Sequence, residues 1–290
     1  MHEFDYLEPS SVVEASDMLA ELGEDCRVIA GGTALMLAMR QRMLNPSHLV
    51  SMAKLTQLRS ISADGQGWLR IGALCQHADV AESPLVQAQW SMLASMAGRV
   101  ANPQVRHQGT IGGNLCYGDP ATDPPSCLMA LNAQLVLASS VGERVLPLSD
   151  FLVDYYTTAL ASDELLTEIR VPPLAQGTAA LYTRHLRTAA DHRPLVNVAL
   201  IARQAGAACA EARIVVGAST AIPTRASRAE AFLQGKVPSI GLIAEAADLI
   251  AADIEPLSDA RGDADYRRDM VRVVSRRSMA KLFGLREEST

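Results

Sequence analysis

Closely spaced cysteines are missing from this chain. Its five, Cys26, Cys75, Cys116, Cys127 and Cys209, are an odd and scattered set with no C-x-x-C pair. An iron–sulfur or zinc site built within the chain is thereby disfavoured, and buried free thiols in a reducing compartment are the expectation. Excess positive charge is absent as well. With 26 basic against 32 acidic residues and a net charge of -6, no nucleic-acid surface is implied. The basic run Arg267 to Arg277 has Asp263, Asp265 and Asp269 beside it and reads as a solvated or subunit-facing helix stripe.

No apolar run approaches the ~18 residues of a membrane span, and the acidic start Met1-His2-Glu3-Phe4-Asp5 has no apolar leader core. A cytoplasmic protein is expected. Neither G-x-G-x-x-G nor the P-loop pattern occurs, which disfavours a nicotinamide-type Rossmann domain. There is no internal repeat and no low-complexity tract.

What is present is an ordinary globular composition, 49% hydrophobic and 20% charged, over 290 residues, enough for two or three subdomains. The densest punctuation lies at residues 101–125, centred on Thr110-Ile111-Gly112-Gly113-Asn114 and followed by Asp119 and Asp123 among prolines. Adjacent glycines let a bulky anion approach the main chain, since no Cβ stands in front of the N–H groups. A second pair sits in Ala30-Gly31-Gly32-Thr33-Ala34-Leu35, and two such loops suggest one extended ligand.

Periodicity organises the rest. Ser11 and Glu14 form a capping-box pattern ahead of a helix over 12–22, and 26–30 reads as a buried strand running into Gly31-Gly32. Thr33 is placed to cap a helix over 34–43, with a strand at 48–52 after it. Residues 58–62 and 68–74 read as a hairpin, 84–98 as one helix, and 126–131 as a shorter one. Strands follow at 134–138, 144–148 and 165–171, then longer ones at 179–185, 195–202 and 212–216. Helices near 225–233, 239–252 and 264–283 close the chain. The divisions expected are 1–55, 56–175 and 176–290.

Several of these stretches together resemble one family, the FAD-binding (medium) subunit of molybdenum hydroxylases. They are Ala30-Gly31-Gly32-Thr33, the run Pro103 to Asn114, Asp119-Pro120-Ala121-Thr122-Asp123, and Tyr266-Arg267-Arg268 with Ser275-Arg276-Arg277. The resemblance covers nearly the whole chain. It implies an α+β, PCMH-type (vanillyl-alcohol-oxidase-like) FAD-binding fold of two α/β subdomains. A C-terminal domain with a three-stranded antiparallel sheet and helical bundle would follow them.

By the same resemblance, Val28, Ile29, Ala30, Gly31, Gly32, Thr33, Ala34 and Leu35 wrap the FAD pyrophosphate. Thr110, Ile111, Gly112, Gly113 and Asn114 bind from the other side, and Asp123 hydrogen-bonds ribityl or ribose hydroxyls. Leu166, Val100, Ala101 and Tyr117 touch the cofactor's edges. Ala34 and Tyr117 depart from the residues many relatives carry, which puts donor chemistry and solvent access there in doubt. One of Arg184, Arg187 and Arg193, in the segment that passes the flavin, could tune its potential.

No catalytic side chain and no metal ligand is nominated; His107, His185 and His192 have no ligand partner at helical spacing. The family's large subunit carries molybdopterin and its small subunit two [2Fe-2S] clusters, in a dimer of heterotrimers. FAD there passes electrons to NAD+, O2 or a quinone. The alternatives are a stand-alone flavin oxidase, which is usually longer, and a cofactor-free assembly subunit, against which the intact glycine pairs speak.

Overall fold

The computed structural model describes residues 3–188 and 191–286. The chain begins with β1 (Asp5–Leu7), α1 (Val12–Leu22), β2 (Cys26–Ile29), α2 (Leu35–Arg40) and β3 (His48–Ser51), and the strands form a parallel sheet in the order β1-β3-β2. At the start of α1 the Glu14 N–H donates to Ser11 Oγ at 3.1 Å. The Glu14 carboxylate accepts from the Ser10 N–H at 2.7 Å, one residue earlier than a capping box requires.

Two expectations fail at α2. Thr33 does not cap it; Ala34 holds the N-cap position and no side chain bonds there. The helix also stops at Arg40 rather than 43. Arg42 turns left-handed at φ 60, and the Met43 N–H donates back to the Ala38 carbonyl at 2.9 Å, a Schellman closure built without glycine.

The middle of the chain runs β4 (Ile61–Ala63), β5 (Leu69–Gly72), then helices α3 (His77–Glu82), α4 (Pro84–Gln89), α5 (Ser91–Ala97), α6 (Pro103–Arg106), α7 (Ile111–Tyr117) and α8 (Pro124–Ala130). It continues with β6 (Gln134–Ala138), β7 (Glu143–Pro147), α9 (Leu148–Phe151), the hairpin β8 (Leu152–Asp154) and β9 (Thr157–Thr158), and β10 (Leu165–Val171). Five of these strands form an antiparallel sheet, β4-β5-β10-β6-β7. The single helix expected over 84–98 is broken at Trp90 (φ -127, ψ 52). Trp90 is fully buried, and its indole N–H donates to the Pro172 carbonyl at 3.0 Å. Satisfying that donor inside the core outweighs helix continuity.

The last third holds β11 (Thr178–His185), β12 (Val196–Ala205), β13 (Ala208–Gly217) and β14 (Thr224–Arg225) in one antiparallel sheet, then α10 (Ser227–Leu233), α11 (Ile240–Asp253) and α12 (Ala264–Leu282). This corrects the expected three-stranded sheet: a two-residue fourth strand pairs Thr224 and Arg225 with Val216 and Val215. Glu230 makes so short a strand tenable, accepting from the Ile214 N–H at 2.8 Å and from the Arg225 guanidinium at 2.9 Å.

The sheet is buried on both faces. Val196, Val198 and Leu200 pack on the helices with Ile243, Ala246, Ile250 and Val271, whereas Ala199, Ile201 and Val215 join the middle core with Trp90 and Leu128. Alternation along β12 thus sends odd and even residues into different cores, which is why the strand reads as one unbroken apolar run. Arg267 on α12 locks the end of this sheet. Only 1% exposed, it donates to the carbonyls of Ala218 (2.8 Å) and Leu195 (3.2 Å) and to Asp259 (2.6 Å). Arg267→Leu strands those carbonyls and should cost about 3 kcal/mol, read as a lower urea midpoint at unchanged slope.

Candidate cofactor site

β2 delivers the chain to Ala30 and Gly31, and α6 delivers it to Gln108 and Gly109. The two glycine loops meet there. A Cβ on Gly31 would lie 2.1 Å from the Gln108 carbonyl oxygen, and one on Gly109 would lie 3.2 Å from Thr33 Oγ. Gly32 takes φ 68, so both residues of the first pair are glycine for a local reason, the first for close approach and the second for a left-handed turn.

The first loop is a row of free donors. Among the described residues the N–H groups of Gly31, Gly32, Thr33, Ala34 and Leu35 have no acceptor within the chain, and neither has the Thr33 hydroxyl. Residues 28–36 are all half-buried. Successive main-chain donors in a partly enclosed turn are the chemistry of an anion nest. α2 is only six residues long, so its macrodipole adds little, and the nest itself carries the attraction.

The second loop is arranged differently. The N–H groups of residues 111–114 are spent within the protein: Ile111 donates to the Cys75 carbonyl (2.9 Å), Gly112 to Ala73 (3.0 Å) and Asn114 to Thr110 (3.0 Å). Gly113 N–H donates to Thr110 Oγ at 3.1 Å, so Thr110 is the N-cap of α7; its own O–H stays available, and its main-chain N–H has no acceptor among the described residues. Gly112 is buried with its Cβ direction 2.6 Å from Ala73, and Ile111 is core; both hold the loop against the end of β5. Gly113 is exposed, and a Cβ there would lie 2.7 Å from Thr110 Oγ and 3.8 Å from the Ala30 Cβ. One loop therefore offers donors and the other a close smooth wall. Both fit a diphosphate-bearing cofactor.

Asn114 turns its amide away, donating to Thr122 Oγ at 2.8 Å. Asp123, next in line, is 2% exposed; Tyr182 O–H donates to one oxygen at 2.5 Å and Arg184 lies 3.3 Å from the other. Burial pushes its carboxyl up from 3.8 to about 6, against the pull of Arg184 and Tyr182. Arg184 also donates to the carbonyls of Arg99 and His192. Arg106 donates to those of Val100 (3.0 Å) and Ala101 (3.2 Å), the latter held at φ 43. Tyr117 stacks edge-on against Tyr156 with centroids 5.3 Å apart, and Leu166 is a core residue of β10. Arg193 pairs with Asp119 at 2.5 Å and Arg187 with Asp191 at 3.8 Å.

Sequence reasoning passed over His77. It is 2% exposed, its main-chain N–H donates to the Gly109 carbonyl at 3.2 Å, and its ring Nδ1 has no partner. Burial, with Arg106 nearby, drives its pKa down to about 4, so a neutral imidazole backs the glycine loop. The capping box from Gln76 to Asp79, with Gln76 N–H donating at 2.7 Å, is the signal that could have found α3 and this residue. No group of three or more potential metal-ligating side chains occurs among the described residues. No helix among them is long and apolar enough to cross a membrane.

A donor nest facing a glycine wall, ahead of an antiparallel sheet with a helical bundle, is an architecture suited to a diphosphate-bearing cofactor. Residues 2–174 match the FAD binding domain in molybdopterin dehydrogenase, and residues 180–282 the CO dehydrogenase flavoprotein C-terminal domain. The chain belongs to this family of FAD-binding subunits of molybdenum hydroxylase complexes, and is an oxidoreductase component. It is 36% identical over 276 residues to the carbon monoxide dehydrogenase medium chain of Hydrogenophaga pseudoflava, covering 95% of this chain and 96% of that one. A structure of carbon monoxide dehydrogenase from that organism superposes with a TM-score of 0.94, covering 98% of each chain at 36% identity. Quinoline 2-oxidoreductase from Pseudomonas putida 86 gives 0.92 at 31% identity, with 98% of each chain covered.

The Asp123 carboxyl supplies a test of the buried contact. The folded chain holds this proton more tightly than the unfolded one, so the group's contribution to stability falls as pH rises from about 4 to about 6 and is level above. Asp123→Asn lacks that titration. Its stability relative to the parent chain should improve by about 3 kcal/mol between about pH 4 and about pH 7 in urea unfolding. A difference independent of pH would show that the carboxyl does not titrate in this range.

Proposed function

We propose that the chain holds FAD between the nest at 31–35 and the wall at 110–114, and that electrons reach it from [2Fe-2S] clusters on a small partner subunit. They leave to an external acceptor, NAD+, O2 or a quinone. The observation that carries the reading is the run of five unpaired N–H groups with the Thr33 hydroxyl beside them. When bound, FAD supplies the redox chemistry; the protein supplies binding, orientation and electrostatics.

In this reading Gly31, Gly32, Thr33, Ala34 and Leu35 donate to the pyrophosphate, with Val28, Ile29 and Ala30 as the apolar floor. Thr110 gives its hydroxyl, Gly113 permits close approach, and Ile111 and Gly112 fix the wall. Asn114 positions the Thr122–Asp123 turn. Asp123 offers its remaining lone pairs to a ribityl or ribose hydroxyl. Val100, Ala101, Tyr117 and Leu166 shape the flavin's edges. We assign 1–55 and 56–175 to the two FAD subdomains and 176–290 to the C-terminal domain.

A large molybdopterin-bearing subunit and a small iron–sulfur subunit complete the complex, as a dimer of heterotrimers. Relatives named for carbon monoxide, nicotine and caffeine match 95 to 96% of this chain, which supports substrate choice residing on the large subunit.

Gly32→Val or Gly113→Val should abolish visible flavin absorbance in the purified chain while leaving its circular dichroism intact. Full flavin retention in either variant would remove the site assignment. Purification from native cells should return the large and small subunits alongside; recovery as a lone active oxidase would contradict the subunit role.

A further inference from the structure

A crease of about 400 Å³ lies between α5, the edge strand β11 and α12, outside the glycine loops. Arg99, Arg184, Arg277 and Lys281 line it, and no carboxylate does. In a chain of net charge -6 this is a local reversal. The side chains of Arg99, Arg277 and Lys281 make no hydrogen bond or ion pair among the described residues, although most other arginines are paired. Arg277 and Lys281 stand one turn apart on α12, where like charges repel.

The remaining polar groups are hydroxyls. Ser91 and Ser95 face in from one turn of α5, and Ser278 from α12. Ser278 is 2% exposed and its Oγ has no partner; it does not bond back to its own helix, as a serine there commonly does. Arg184 is nine-tenths buried, with its Nε unpartnered. The crease thus carries cationic side chains and hydroxyls with no carboxylate, and two of its donors are buried and unsatisfied, which is costly without an acceptor.

We propose that this crease binds a small phosphate-bearing anion, with Arg99, Arg277 and Lys281 around the phosphate and Ser278 and Ser95 as hydroxyl donors. Three unpaired cations match a dianion better than a single carboxylate, and a phosphate ester brings three strong acceptor oxygens. The volume exceeds that of bare phosphate and falls in the range of small-molecule sites. Arg184 joins this crease to the cofactor loop, because the same guanidinium faces Asp123, whose neighbour Thr122 holds Asn114.

The test uses the FAD-loaded full chain at constant ionic strength, titrated calorimetrically with inorganic phosphate and with ADP, and with chloride as the control. Both phosphates should bind, and Arg277→Glu with Lys281→Glu should weaken binding at least about tenfold while visible flavin absorbance is kept. Ser95→Glu, at an exposed position on the opposite wall, should do the same. ADP binding more tightly than phosphate identifies an ester as the ligand; equal affinity identifies free phosphate. Gly32→Val should leave crease binding unchanged even where flavin is lost, which separates this proposal from the FAD assignment. No heat above the chloride control, or an affinity indifferent to the charge reversals, overturns the proposal, as does ADP binding abolished by Gly32→Val.

Discussion

The site depends on one approach of backbone to backbone, Gly31 against the Gln108 carbonyl. No side chain can stand at residue 31, because its Cβ would lie 2.1 Å from that oxygen. The contact brings the chain leaving a parallel strand onto the loop after α6, beside the antiparallel sheet. The two loops are thereby held at the width of a main chain rather than a pair of side chains. Gly112 repeats the device against Ala73, seating the second loop on the end of β5. Glycine is costly in a folded chain because it surrenders the most freedom. Here that cost sets a fixed distance between a row of donors and a smooth wall.

Division of labour between the loops follows from where their hydrogen bonds go. The second loop is closed from residue 111 onward, its amides paired with Cys75, Ala73 and Thr110, so its shape is set without a ligand. The first is open, with five amides pointing at no acceptor. A rigid wall and a hungry nest make an asymmetric cleft in which a diphosphate has one favourable side. Neutral His77 behind Gly109 fits this arrangement, since a carboxylate there would repel the ligand and a solvated group would open the loop's rear.

Much of this was legible in the chain itself. The glycine pairs, the Ser11 cap and the strand at 165–171 stand where periodicity and turn chemistry put them, because each is decided by neighbours a few residues away. Other features turn on partners far along the chain. Trp90 breaks a well-patterned helix for the sake of Pro172, and α3 hides in a stretch whose apolar spacing is weak. β14 exists because Glu230 and Arg225 satisfy a sheet edge that no local pattern announces. At the site, Gly31, Gly112 and Gly113 look alike in sequence. Only the surrounding contacts show that the first two abut a neighbouring segment and that the third stands exposed, over the Thr110 hydroxyl that caps its own helix.

The C-terminal sheet is then more than a cap on the fold. Its edge strand reaches the flanks of the second glycine loop at two points: Tyr182 and Arg184 take the two oxygens of Asp123, and Arg184 also grips the Arg99 carbonyl. Residues 99 and 123 flank the glycine wall on either side in sequence. Arg106 holds the carbonyls of Val100 and Ala101 from within the middle domain, so three successive carbonyls are fixed by guanidinium groups from two domains. Because β12 feeds both cores, sliding the C-terminal domain would require unpacking Ala199 and Ile201 from the middle core at the same time. A shift of residues 99 and 123 relative to the sheet would break these contacts. A charge placed beside Arg184 therefore acts on the same lever that positions Asp123 and, through Thr122, Asn114.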